Sequence, residues 1–514
     1  MKQVTSMPNM TQGSLTCLSG GQILTFDKLN KTLNQGELWL KGKEILAVCE
    51  VGGFMPPPNH AVKKIDTTGR IIVPGFVNSH THSYSAILKG TVEKNPLDIY
   101  MLAVIAAGSS MTPRETYVSA QLDALSMLKT GITSLIDHYS ERPALTFAGL
   151  DAVCGAFKEI GVRATVATMF ADKPYIETVP IDQSTLPSTI LEQYAYQKRP
   201  DANKYFDVME SAVKKYGIEN NRIQAILGVD GPQRCSDSLI EMTGDFQKRH
   251  NIGLHTHMLE TKTQAVMRNP NKESFVRRML NLGILNEKSS LVHFIWAQDD
   301  DIAAAKDAGV TIVHCPQSNT MLGAGICPVL RLRNEGIPVA YGTDGSNCGP
   351  ASYLETLRMA AHLMRLTDPD FEKWPEGQQI LREAYQNGAR ALGWGGQLGS
   401  LEPGMCADFV VLNPVEHWHR PMGDPFRHLF YYENGQSTES VWVEGQQVVK
   451  EGVIKTINEQ DLLAEAEEIV IRRKQQMPHD IAETVAAQYP AFKDMIIKTL
   501  TTNEPKIKRR FDLQ

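Results

Sequence analysis

From Leu15 to Asp66 the chain alternates apolar and polar residues in short runs, "QILTF", "GELWLKGKEILAVCEVGG" and "VKKID", broken by Gly, Pro and Asn. A two-residue period between turn-forming residues predicts short antiparallel strands, each burying one face. Beyond Ile71 the texture changes, and compact apolar runs alternate with longer segments of helical character. The runs are "IIVPGFVNSHTH", "GITSLIDH", "GVRATVATM", "IQAILGVDG", "IGLHTHMLE", "SLVHFIW", "GVTIVHCPQSN" and "IPVAYGTDG". Each precedes a segment long enough for a crossover helix, as "DIAAAKDAG" follows the sixth. Apolar strands alternating with helices form parallel sheets, and eight such units predict a closed, TIM-like (β/α)8 barrel of the α/β class. An open doubly wound sheet fits the same count, but no GxGxxG loop follows the first strand.

After about Trp394 the short-strand texture returns in "GSLEPGMCADFVVLN" and "ESVWVEGQQVVKEGVI". Strand-rich pieces on either side of a barrel can meet in one small β-sandwich. The expected organisation is therefore a first sandwich part over 1–72, the barrel over 73–395, a second sandwich part over 396–457 and a helical extension over 458–514. Within the extension, "EQDLLAEAEEIVIRRKQQ" sets Leu462, Ala466, Ile469 and Val470 on one helical face, and the basic stretch "KIKRR" follows. Such a face docks on the same chain or on a second subunit.

Composition narrows the class. With 42% hydrophobic and 21% charged residues the chain reads as an ordinary soluble globular protein. A net charge of -6 argues against a nucleic-acid surface spread over the whole fold. The eight cysteines are scattered, with no CxxC spacing, which suits free thiols in a reducing compartment. "MKQVTSMPNMTQGS" has no apolar core of a secretory signal, and no apolar run nears the roughly 20 residues of a membrane helix. The expectation is a cytoplasmic protein with a small-molecule substrate and no nucleic-acid or membrane partner.

Chemistry concentrates where barrel enzymes keep it, at the C-terminal ends of the strands. The first run ends in His80 and His82, two apart on a strand and so directed to one side. The fifth offers His255 and His257 with Glu260 just beyond, the sixth His293, the seventh His314 and the eighth Asp344. A single histidine on a strand is more often a hydrogen-bonded core residue than a ligand. Here half of the 14 histidines, His138 included, fall in or at the ends of barrel strands. Imidazole nitrogens with a carboxylate suit a divalent transition metal, Zn2+ first and Fe2+ as the alternative.

"PGFVNSHTH", "HMLET", "LVHFIW", "HCPQSN", "GTDG" and "GSLEPGMCADFVVLN", in this order, resemble the signatures of the amidohydrolase superfamily. The resemblance runs from about residue 36 to 455 and is nearest to the cytosine deaminase and aminohydrolase/chlorohydrolase branch. It implies a metal-bearing barrel with a β-sandwich, a homo-oligomer, and one metal held by His80, His82, His257 and Asp344. Glu260 is then the proton-transfer group, His293 orients the attacking water, and Asp344 also takes the water's proton. His255 would support a ligand, and His138 would be lining or structural. Binuclear relatives carry a lysine or carboxylate at the end of the fourth strand; "IQAILGVDG" has no lysine and only Asp230, which favours one metal.

The implied reaction is hydrolytic loss of ammonia or an amine from an amino-substituted purine, pterin, pyrimidine or triazine-like ring. The same metal-activated water would serve a halide, alkylamine or thiol leaving group, or an amide or carbamate. A non-catalytic scaffold is a remote third reading, since such chains lose ligands and here every position is filled. The specificity loops depart from the branch. Tyr100 stands where tryptophan is common, "DGPQRCSDSLI" replaces a segment that carries a histidine, and "GSNCGPASYLETLRMA" has unusual spacing. Tyr84, Gln233, Arg234, His314 and Asn347 are the candidate substrate contacts.

Overall fold

In the computed structural model, which describes residues 14–502 apart from 59, 92, 108–110, 197–200, 218–221, 268–272, 416–418 and 477–478, the alternating runs become strands. "KIKRR" and residues 1–13 of the N-terminal stretch lie outside the described residues. The first strands are β1 (Leu15–Leu24), β2 (Thr32–Lys41), β3 (Glu44–Glu50), β4 (Val62–Asp66) and β5 (Ile71–Pro74). The eight later runs supply β6 (Phe76–Thr81), β7 (Ile132–Tyr139), β8 (Arg163–Phe170), β9 (Ile223–Val229), β10 (Leu254–Met258), β11 (Ser289–His293), β12 (Thr311–His314) and β13 (Val339–Tyr341). The last strands are β14 (Phe409–Leu412), β15 (Thr438–Val443), β16 (Gln446–Lys450) and β17 (Val453–Ile454).

Strands from both sides of the barrel join edge to edge in one nine-stranded mixed sheet, ordered β17-β16-β15-β14-β5-β1-β2-β3 with β4 also paired to β1. The junction is β5, parallel to β1 and antiparallel to β14. Leu18, Ile23, Leu38, Phe409 and Trp442 form its buried apolar layer. Between β5 and β6 the chain passes from this sheet into the barrel at Gly75, where a Cβ would stand 2.0 Å from Thr133 Oγ1. Only glycine lets the two backbones approach so closely.

Strands β6 to β13 pair in parallel, each with the next in sequence. The barrel closes through the turn after β13. Gly342 lies against His80, whose N would be 2.9 Å from an added Cβ. That approach lets Asp344 N donate to His80 O (3.0 Å) and Thr343 N donate to Asn78 Oδ1 (3.0 Å). Below the barrel, Arg163 of β8 forks onto Asp408 at 2.8 and 3.1 Å and lies over the Trp394 ring at 4.2 Å. Asp408, from the "CADFVVLN" segment, also accepts from Glu444 N, so one carboxylate ties barrel to sheet.

The helix Glu459–Gln476 buries Leu462, Ala466 and Ile469, with Val470 packed at the margin. It docks on the helix Pro113–Lys129 of the same chain through Glu465 with Arg114, Glu459 with Lys129 and Arg472 with Glu115. The helix His479–Thr501 packs on segments that follow the barrel strands. Its Phe492, Met495 and Ile496 pack on Ile99 and Leu102 of the helix Leu97–Ala107 and on Val179. Among the described residues no helix is long and apolar enough to cross a membrane.

Candidate active site

At the mouth of the barrel four imidazoles are fixed by what their Nδ1 atoms bond. His82 Nδ1 faces the carbonyl of His138 at 2.8 Å, and His257 Nδ1 faces the carbonyl of Asp230 at 2.8 Å. A carbonyl only accepts, so each Nδ1 carries the proton and each Nε2 of the neutral ring presents a lone pair. His80 Nδ1 meets His255 Nε2 at 2.8 Å, and His255 Nδ1 meets Ser290 Oγ at 2.6 Å. With Ser290 donating onward to Leu254 O, the relay leaves His80 Nε2 as a bare acceptor. His293 Nδ1 bonds Asn319 Oδ1 at 2.9 Å, which frees its Nε2 in the same way.

These acceptors converge. His82 Nε2 and His257 Nε2 are 3.3 Å apart, and Asp344 Oδ1 lies 3.5 Å from His82 Nε2 and 3.6 Å from His80 Nε2. His80, His257 and His293 offer ligand atoms within 4.8 Å of one another. His80 Nε2 is buried and has no hydrogen-bond partner among the described residues. Lone pairs facing lone pairs in a buried site repel unless a cation sits among them. The donor set, imidazole nitrogen plus one carboxylate, fits a divalent transition metal.

Burial, reinforced by neighbouring rings, pushes His80 well below the usual histidine range; burial holds His82 and His293 at about 4. All three stay neutral, the form that ligates. Against burial, Asp230 raises the basicity of the His257 ring. Cys315 also lies near His80 and Asp344, but burial keeps its thiol far above the range in which a thiolate forms.

Two carboxyls face the centre in opposite states. Burial, with Asp344 adding to it, pushes Glu260 up to about 8, so it holds a proton at neutral pH. Asp344 lies below the usual range despite its burial, with a hydrogen bond from Ser318 among the contacts that favour its ionised form. His293 Nε2 stands between them, 3.7 Å from Glu260 Oε1 and 3.9 Å from Asp344 Oδ2. His293 and Asp344 adopt left-handed backbone angles, φ 72° and 64°, as does Leu259 at 51°. Non-glycine residues in this region are strained, and such strain clusters at functional sites.

The cleft above the centre brings most of the expected residues together. Tyr84, Gln233, Arg234, Asn347, His82, His257, Glu260, His293 and Asp344 all line it. His80 and His255 lie beneath the floor. His314 is not among the lining residues: its ring is buried in β12, 6.3 Å from that of Tyr341. Val313 and Cys315 on either side of it pack inside the barrel, so His314 faces outward from the strand, where Ile312 and Tyr341 pack.

The sequence reading missed other lining residues. Asp98, Tyr100, Arg142 and Tyr175 reach the cleft from segments with no metal-site spacing to mark them. Asn347 Nδ2 donates to Tyr100 Oη at 2.7 Å, and Tyr175 Oη and Thr263 Oγ1 donate to the two oxygens of Asp98. The one available signal was Tyr100, already marked as a departure in the loop after the first barrel strand.

Comparison with known proteins places this geometry. The amidohydrolase family model matches residues 71–448. The chain is 27% identical over 459 residues to the 5-methylthioadenosine/S-adenosylhomocysteine deaminase of Halothermothrix orenii, covering 88% of this chain and 97% of that one. Its identity with the 5'-deoxyadenosine deaminase of Methanothermobacter thermautotrophicus is 26%, over 80% of this chain and 89% of that one. Among solved structures, the fold matches an adenosine deaminase from Xanthomonas campestris with bound zinc at a TM-score of 0.78 and 22% identity, covering 90% and 98% of the two chains. It also matches the atrazine chlorohydrolase of Arthrobacter aurescens TC1 complexed with zinc at a TM-score of 0.79 and 23% identity, covering 88% and 100%.

Proposed function

The chain belongs to the amidohydrolase family, and from that premise we propose that it is a metal-dependent deaminase acting on an amino-substituted nitrogen heterocycle. Its relatives named as deaminases of adenine nucleosides put purine-type rings first among the substrates. The observation that carries the reading is the convergence of bare Nε2 acceptors on an ionised Asp344, with a protonated Glu260 across the site.

His80, His82, His257 and Asp344 would hold the ion. A divalent transition metal, zinc before iron, supplies Lewis acidity here and brings the ionisation of water into the neutral range. Asp344, ionised, accepts the proton that water loses as it adds to the ring carbon. Glu260 delivers its proton to the ring nitrogen, the proton taken up by Asp344 passes to the amino group, and the added hydroxyl returns a proton to Glu260 as the carbonyl forms, so ammonia leaves as a neutral molecule. His293, its Nδ1 proton engaged by Asn319, presents Nε2 as an acceptor that orients the attacking water. Asp230 has a supporting part. Despite burial, Arg234, His257 and Arg142 hold its carboxyl well below the usual range, and it braces His257.

Metal analysis of the purified protein, joined to a screen of aminated purines, pterins, pyrimidines and triazines for ammonia release, tests the assignment. About one zinc or iron per chain is expected, with ammonia released from at least one ring class and both lost in His82→Ala. Release of chloride, thiol or alkylamine from these rings in place of ammonia would overturn the deaminase reading, and full activity without metal would overturn the centre.

A further inference from the structure

The wall of the cleft beside His257 carries two guanidinium groups, and they are not equally answered. Arg234 ends the turn Pro232–Arg234 after β9, is paired with Asp230 and lies over the Tyr175 ring at 4.9 Å. Its residue is 8% exposed, yet its Nε is buried with no hydrogen-bond partner among the described residues. Arg142, on the loop after β7, lines the same wall and has no ion pair or hydrogen bond among the described residues. Asp98, the other acid on this side, has both oxygens occupied by Tyr175 and Thr263.

A sheltered arginine without an anion opposes folding, because the charge is withdrawn from water with nothing in return. Arg142 sits near Arg234, and burial together with that second cation lowers its affinity for a proton. Asp230 answers one of the two charges. One positive charge, Arg142's, remains exposed to whatever occupies the cleft. Guanidinium presents a planar fork that matches a carboxylate through two parallel hydrogen bonds. A single unmatched charge suits a monoanion better than a phosphate dianion.

We propose that Arg142, assisted by the free Nε of Arg234, forms a carboxylate subsite, and that the substrate is an amino-substituted heterocycle bearing one carboxylate. The inference rests on the deaminase reading for the ring and adds the acid group to it. The subsite and the centre are adjacent, since Asp230 pairs with Arg234 on one side and braces His257 on the other. The carboxylate is therefore carried on the ring or on a compact substituent such as a sugar, not on a long flexible tether. Tyr84, whose ring centroid is 5.4 Å from that of His82, lines the same cleft.

Matched pairs test this: pterin with pterin-6-carboxylate, and adenosine with adenosine-5'-carboxylate, assayed on the metal-loaded protein for ammonia release and, separately, for binding by calorimetry. In at least one pair the carboxylated member is expected to have a kcat/KM about 10- to 100-fold above its neutral partner. In Arg142→Gln that ratio collapses toward one, mainly through KM. Arg142→Lys keeps the charge without the fork and holds an intermediate ratio, which separates loss of recognition from loss of fold. Neutral members preferred in both pairs, a ratio unmoved by Arg142→Gln, or no binding of either carboxylated compound would overturn the subsite. Carboxylated compounds that bind through Arg142 without releasing ammonia would uphold the subsite and sink the deaminase reading. Ammonia release from neutral rings, indifferent to Arg142, would do the reverse.

Discussion

At the scale of single residues the site is a problem of proton bookkeeping, solved by the partners of each Nδ1. Carbonyl acceptors, the His255–Ser290 relay and Asn319 decide where four imidazoles keep their protons, and so which nitrogens are bare. Glu260→Gln removes the transferable proton while leaving those nitrogens untouched. The variant should retain its metal and lose about 10²- to 10⁴-fold in kcat, as measured by parallel metal analysis and ammonia release. Loss of the metal instead would make Glu260 a ligand.

Asp137 gives a second residue-scale prediction. It is buried, accepts from Ser83 N at 2.9 Å and Ser83 Oγ at 2.6 Å, and burial pushes its carboxyl from 3.8 up to about 7. Between those values the unfolded chain releases this proton and the folded chain keeps it, so stability falls as pH rises. The slope from this one group is about 1.4 kcal/mol per pH unit. Asp137→Asn, which has no such proton to lose, should flatten it, as read from denaturation of both proteins at pH 5 and pH 7.

At the scale of elements, apolar runs announced all eight barrel strands, because a strand covered on both faces must be apolar along its length. The paired histidines were legible for a related reason: residues at strand ends inherit a direction from the strand. What the runs could not convey was partnership. Ile71–Pro74 is as apolar as Phe76–Val77, yet β5 pairs with β14 in one sheet and β6 with β7 in the other. The steric demand at Gly75 that divides them exists only once Thr133 is in place. Arg142 and Tyr175 stayed hidden likewise, since the position of a connection is set by the elements it spans and not by its own period.

The joint between the two sheets can be probed directly. Asp408→Ala leaves Arg163, its side chain 1% exposed, without its bidentate partner. An uncompensated buried charge costs about 3–5 kcal/mol, so the thermal midpoint should fall markedly. An unchanged midpoint would show that Glu444, 3.7 Å from Arg163 in the same cluster, suffices alone.

At the scale of the whole molecule, one end of the barrel is tied to the sheet, and the last helix packs on segments that follow the barrel strands. The helix Leu97–Ala107 brings Asp98 and Tyr100 to the cleft on one side and lays Ile99 and Leu102 against Phe492 on the other. Phe492→Ala removes the fully buried ring at that contact, a change worth about 3–5 kcal/mol of packing. Because the loss is local, hydrogen exchange should accelerate over the segment 97–102 and not in the barrel strands. A rise in KM is expected alongside it, and uniform acceleration throughout the molecule would argue against a local contact.

The nine-stranded sheet also carries a message about time. A ribosome delivers β1 to β5 first, but the antiparallel neighbour of β5 is β14, some 330 residues later in the chain. The early strands must therefore wait with one edge unpaired while the whole barrel is synthesised. Exposed edges recruit other strands, so the nascent chain passes through a long interval in which β5 needs protection. Co-translational folding of this protein should stall, and attract chaperones, until the strand around Phe409 has emerged.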